Sequence, residues 1–129
     1  MVIDSSALIA IIAGEPEWRP LIAAITASSI CLVGAPTMME TSMVVLGRHG
    51  EEKLQDLRDF CARSAIDVVP FGPEHVDLAL DAFRRYGKGR HPAGLNFGDC
   101  FSYALAKATG EPLLFKGDDF SQTDIKRAA

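Results

Sequence analysis

Four short apolar runs, set apart by longer stretches of helical pattern, narrow the choice of fold for this chain more than anything else in it. Residues 1–4, 29–33, 65–69 and 111–115 are brief and rich in β-branched or bulky apolar side chains, and read as strands. Helical spacing fills the gaps at 5–13, 16–27, 36–48, 51–64, 73–86 and 96–109. Gly14, Gly50 and Gly110 stand where three of these helices should stop. Pro16 and Pro36 stand where two should start. The order β-α-α-β-α-α-β-α-α-β predicts an α/β fold with three α/β/α layers. Its central, mostly parallel sheet should have four or five strands, within a single domain spanning 1–129. In such a sheet the ligand crevice lies at the carboxyl ends of the strands.

Several acids fall where that crevice should form. Asp4 closes the first strand, Asp118 and Asp119 follow the last one, and Glu40 and Asp99 fall in the first turns of helices. Each has an ordinary structural reading. Asp4 is a favoured helix N-cap. Thr37 and Glu40 are spaced as a capping box, as are Asn96 and Asp99. Gly117-Asp118 is common turn chemistry. Jointly the acids say more, because strand ends and following helix starts share one edge of a parallel sheet. Two carboxylates about 4 Å apart repel by roughly 4 kcal/mol at an effective dielectric near 20. A cluster of three or four therefore needs strongly raised pKa values or a cation, and a hard divalent ion with oxygen ligands is the economical answer.

Composition limits the alternatives. The formal net charge is −4, from 13 Lys+Arg against 17 Asp+Glu, which argues against a protein that coats polyanions in bulk. Cys31, Cys61 and Cys100 are odd in number and lack C-x-x-C spacing, which argues against a disulfide framework or a zinc site; Cys31 and Cys61 read as buried small hydrophobes, and a reducing cytosol is expected. His49, His75 and His91 are scattered and read as surface residues. No apolar run approaches a membrane span, and the start has no basic leader, so a cytoplasmic protein with no membrane partner is expected. Neither G-x-S-x-G nor a phosphate-binding G-x-x-x-x-G-K-[ST] loop is present.

The acids sit in recognisable motifs. Met1-Val2-Ile3-Asp4-Ser5-Ser6-Ala7-Leu8 resembles the opening of PIN-domain proteins. Met39-Glu40-Thr41 resembles their second acidic motif, and the run from Asn96-Phe97-Gly98-Asp99 through Ala106 their third. Leu113-Leu114-Phe115-Lys116-Gly117-Asp118-Asp119-Phe120 is similar to their fourth, and its ending matches the VapC toxin branch. Many relatives carry the fourth acid three residues before the closing Phe, a place Gly117 holds here. The fourth acid is thus Asp118 or Asp119, with Asp118 preferred. The resemblance covers essentially the whole chain. It implies a metal-dependent endoribonuclease, a homodimer, and the toxin role in a pair with a VapB-type antitoxin.

On that reading Asp4, Glu40 and Asp99 bind Mg2+, with Mn2+ as a substitute. Asp118 completes the catalytic set, and Ser6, Asn96 and Asp119 are its neighbours. Glu40 is a candidate to orient the attacking water or take its proton, leaving a 5′-phosphate. Ser6 reads equally as a solvated first-turn serine, and for Asn96 the plainer reading as a helix N-cap is the favoured one. Arg84, Arg85, Lys88, Arg90 and His91 form the main basic cluster. Arg85, Lys88, Arg90 and Lys116 are the candidate RNA contacts, against the plainer reading of solvated cations at a helix end. Two rivals remain: a receiver-type phosphoacceptor domain with an acidic Mg pocket, and a non-catalytic binding module of the same fold. The first needs an aspartate ending a central strand, whereas Asp67 falls inside the third.

Overall fold

A computed structural model describes residues 1–129. Its order is β1 (Val2–Ile3), α1 (Ser5–Ala13), α2 (Trp18–Ala27), β2 (Cys31–Gly34), α3 (Ala35–His49), α4 (Glu51–Arg63), β3 (Ile66–Val69), α5 (Pro73–Tyr86), α6 (Phe97–Thr109) and β4 (Leu113–Leu114). A short 3₁₀ turn, Phe120–Gln122, follows. The order of elements is the one the sequence predicts. The four strands pair in parallel as β3-β2-β1-β4, with Val2 opposite both Leu32 and Leu113. No fifth strand forms; the C-terminal segment adds only an isolated bridge, Arg127 to Leu113.

The strands are apolar on both faces because helices cover both. Side chains alternate across a strand, so Ile3, Leu114, Cys31 and Val33 join one core with α1 to α4. Val2 and Leu113 turn the other way, into a second core with Tyr86, Tyr103, Leu105, Phe115 and Phe120. Continuous burial of this kind is what a parallel sheet imposes on its central strands.

Helix boundaries follow local chemistry. Gly14 and Gly110 close α1 and α6 in the left-handed conformation, at φ of 67° and 70°. α2 begins at Trp18 rather than at residue 16, because Trp18 N–H bonds back to Glu15 and makes 15–18 a turn. α3 begins at Ala35, with Gly34 as its N-cap. Thr37 therefore lies inside the helix, and the capping box expected of Thr37 and Glu40 does not form. His75 also departs from the surface reading. It is buried, and its Nδ1 accepts the Gly72 N–H at 2.8 Å, capping α5.

The chain's end is held down by one ionic knot. Asp124 accepts from Lys107 at 2.6 Å and from the Tyr103 hydroxyl at 2.8 Å. Burial pushes the Asp124 carboxyl up, but those two donors outweigh it and hold it below the usual range. Arg85 enters the same knot through Tyr103, Asp124 and the Tyr86 hydroxyl, and also pairs with Asp81. Its guanidinium is thus committed to the fold rather than free.

Candidate acidic site at the sheet rim

β1, β2 and β4 end on one rim, and Asp4 is placed there by the sheet itself. Its N–H donates to the Leu114 carbonyl at 2.9 Å, continuing the β1–β4 ladder one residue past the strand. Its side chain then turns to cap α1, accepting from the Ser6 N–H at 3.1 Å and the Ser6 hydroxyl at 2.7 Å, both on Oδ2. Ser6 Oγ in turn accepts the Lys116 N–H at 3.0 Å, which joins the first motif to the last.

α6 brings Asp99 to the same rim. Asn96 and Asp99 form the expected capping box, with Asp99 N–H donating to Asn96 Oδ1 and Asn96 N–H donating to Asp99 Oδ2. One turn on, Ser102 donates to Asp4 Oδ1 and ties α6 to the end of β1. Glu40 reaches over from α3. Its carboxylate lies against Gly98, where a Cβ would come within 2.8 Å of Oε1. Gly98 is thus the space into which Glu40 fits.

Electrostatics confirms that these groups are neighbours. Asp99 is raised from 3.8 to about 7, first by burial and then by the charges of Asp4, Asp119 and Glu40, against the lowering effect of the Asn96 N–H. Asp119, not Asp118, is the fourth charge that acts on Asp99. Asp118 instead lends its carbonyl to the following turn, accepting from Ser121 N and Oγ. None of Asp4, Glu40, Asp99 or Asp119 has an ion-pair partner on the protein. Lys116, which lies closest in sequence to the fourth motif, is bound to Glu15 at 2.8 Å and Glu17 at 3.4 Å.

The acids are adjacent without yet converging. As placed, no three carboxylates share one ion-sized position. Asp99 Oδ2 is turned back to its cap, while Glu40 makes no side-chain hydrogen bond to the protein. A set of hard oxygen donors with no internal cation fits a divalent ion in chemical type.

Of the basic cluster, Arg85 is engaged as described and Arg90 stacks over Phe83 at 5.2 Å. His91 packs edge-on against Tyr86 and accepts the Ala93 N–H at Nδ1. Lys88 is exposed and makes no ion pair. Sequence reasoning missed Ser102, Thr37 and Gly98 as parts of the site. The spacing of Ser102, three residues after Asp99 on a helix, could have placed it on the same face.

Beside the acids lies an apolar surface. Phe97 is 82% exposed, and Met39 and Met43 are each 60% exposed. Phe97 and Phe101 connect this surface to a groove of about 540 Å³ that is lined wholly by apolar residues of α5, α6 and the segment before α5.

Comparison with known proteins agrees with the geometry. The PIN domain family model matches residues 1–126. Ribonuclease VapC30 of Mycobacterium tuberculosis (strain ATCC 25618 / H37Rv) is 48% identical over 129 residues, 100% of this chain and 98% of that protein. Ribonuclease VapC of Mycolicibacterium smegmatis is 46% identical over 125 residues, 97% of each. Among solved structures, Mycobacterium tuberculosis VapC20, described as a sarcin–ricin loop cleaving toxin, superposes with a TM-score of 0.78. It covers 96% of this chain and 95% of its own at 16% identity, so that likeness concerns the fold.

Proposed function

The chain belongs to the PIN-domain family as a VapC-type ribonuclease, an RNA hydrolase of the toxin class, and from that premise we propose that its active site is the acidic rim, with Asp4, Glu40 and Asp99 as ligands of Mg2+ or Mn2+. One observation carries this reading. Four acids crowd one rim with no basic side chain to balance them, and one of them is driven up to about 7. Bound there, a divalent ion supplies Lewis-acid charge to a phosphoryl group and makes a water more acidic.

The residues then divide the work. Asp4 is the fixed member, because three donors hold its carboxylate. Asp99 is held by its cap on one oxygen and presents the other. Glu40, unbonded and seated over Gly98, is free to take the proton of the attacking water. Attack on phosphorus breaks the bond to the 3′-oxygen, and leaves a 5′-phosphate on one product and a 3′-hydroxyl on the other. Asp119 is the better fourth acid, since its charge acts on Asp99. Lys88, exposed and without an ion pair, and Arg90 remain the candidate contacts to RNA phosphates in the loop after α5.

The experiment is cleavage of total cellular RNA with Mg2+, with EDTA, and with two variants. Cleavage should stop in EDTA. Asp119→Asn should lower the rate about tenfold or more, and Asp118→Asn should leave it within about twofold, as expected of a group near the ion against one outside its shell. Cleavage that persists unchanged in EDTA sinks the metal reading. No cleavage under any condition favours the non-catalytic module. The receiver-type alternative loses support because Asp67 is an exposed residue within β3, an edge strand.

The apolar surface of α3, α5 and α6 is the proposed homodimer face. Leu80 and Phe83 on α5 are 45% and 41% exposed, and burying such side chains is worth about 1.5–3 kcal/mol each. Leu80→Asp should convert a dimer to a monomer by light scattering while leaving the circular dichroism unchanged. A wild-type chain already monomeric at micromolar concentration overturns the dimer.

A further inference from the structure

Asp4 is an unusual carboxylate in how little of its acceptor capacity remains. An ionised carboxylate offers about four lone-pair positions. Oδ2 receives two donors, the N–H and the hydroxyl of Ser6. Oδ1 receives one, the hydroxyl of Ser102. The single open position is therefore on Oδ1, and its direction is set by the bond from Ser102.

Ser102 is itself constrained. It is 2% exposed on the inner face of α6, and its Oγ lies 3.5 Å from Oγ1 of Thr37, which is equally buried on α3. Because Ser102 donates to Asp4, Thr37 can only be the donor in this long, weak contact. Thr41 bonds back to the Thr37 carbonyl at 2.8 Å and holds that turn of α3 in place. The result is a dry line of hydroxyls, Thr37 to Ser102 to Asp4, that crosses from α3 through α6 to the end of β1. It is almost wholly buried, and it joins the helix that carries Glu40 to the helix that carries Asp99. A buried hydroxyl without a partner costs about 1–3 kcal/mol, so the line persists only when every member is satisfied.

We propose that Ser102, supported by Thr37, is a positioning residue that fixes the one open acceptor direction of Asp4 and thereby sets the affinity of the site for a divalent ion. The inference rests on the metal reading above. Ser102 touches no substrate and acts only through Asp4.

The test measures Mn2+ uptake directly, by the loss of the free-ion electron paramagnetic resonance signal, on the full chain without RNA. Ser102→Ala should weaken Mn2+ binding about tenfold, in the range for loss of a residue that orients a ligand. Thr37→Val keeps the volume but removes the hydroxyl, and should weaken binding in the same direction by a smaller factor. Thr37→Ser keeps the hydroxyl and should bind as the wild type does. RNA cleavage by Ser102→Ala should recover as Mn2+ is raised to saturation, because the acids themselves remain. Wild-type affinity in both Ser102→Ala and Thr37→Val overturns the proposal while leaving the metal site standing. A wild-type chain that takes up no Mn2+ overturns the metal reading and the proposal with it. If Ser102→Ala loses its far-ultraviolet dichroism, Thr37→Val against Thr37→Ser decides alone.

Discussion

Asp4→Asn is expected to lower Mg2+-dependent RNA cleavage by at least about 100-fold, since loss of a direct ligand should exceed the 10- to 100-fold typical of its supporting residues. The fold should survive. The amide oxygen can still accept from the Ser6 N–H, and the Ser6 and Ser102 hydroxyls can rotate to suit an NH2 group. A destabilisation of no more than about 2 kcal/mol is expected from weaker, uncharged hydrogen bonds. Expression of the wild-type chain should arrest growth, and co-expression of its VapB-type antitoxin should relieve the arrest. Asp4→Asn should not arrest growth at all. A variant that cleaves RNA at the wild-type rate, with its dichroism intact, removes Asp4 from the mechanism.

Two residues of the proposed site, Asp4 and Asp99, also cap helices, and the two roles would have one physical origin. On a parallel sheet each helix that follows a strand begins at the strand's carboxyl end, so its free N–H groups face the rim. Asp4 and Asp99 satisfy such groups in α1 and α6. The helix ends stabilise a nearby negative charge by about 0.3–1 kcal/mol each. That is too little to offset carboxylates brought together on an ion-sized position, where each pair at about 4 Å would repel by roughly 4 kcal/mol at an effective dielectric near 20. The capping reading and the site reading were never alternatives for these two residues. Capping sets the orientation, and the uncompensated remainder is what a cation can answer.

The sequence was a good guide wherever the signal was local. Periodicity gave every helix and strand in order, and Asp4, Asn96 and Gly110 marked boundaries that the structure keeps. It was a poorer guide where a residue's partner is distant. Thr37 matched a local capping pattern but faces Ser102, 65 residues away. Lys116 and Arg85 looked like free cations, yet Lys116 bonds to Glu15, 101 residues away, and Arg85 to Asp124, 39 residues away. Choosing between Asp118 and Asp119 needed the turn geometry after Gly117, where φ is 96°. For Ser102 the spacing from Asp99 marks the shared helix face, but the partner, Asp4 at the end of a strand 98 residues away, is set by the fold.

Without metal, this chain should lose stability as pH rises, and Asp99 should be the main cause. In the unfolded chain its carboxyl ionises near 3.8, while in the fold it ionises at about 7. Between those values the folded state keeps a proton that the unfolded state has released. Stability therefore falls as pH climbs through the window, and the loss is complete above the folded value. At 1.36 kcal/mol per unit, a shift from 3.8 to about 7 sets an upper bound of about 4 kcal/mol. Solvent screening at the rim brings the expected figure below that bound. Urea midpoints in EDTA at about pH 5 and about pH 8 should show the larger part of the difference, since pH 5 lies inside the window and the remainder is lost below it. Asp99→Asn mimics the neutral form and keeps an acceptor for the Asn96 N–H. It should already be somewhat more stable than the wild type at the lower pH and exceed it by up to the full amount at the higher one. Mg2+ added at the higher pH should restore the wild type and do little for the variant, because an ion that binds only the folded state stabilises it by mass action. Equal pH slopes for the wild type and Asp99→Asn, measured side by side, would show that the carboxyl ionises freely in the fold and that the rim needs no cation.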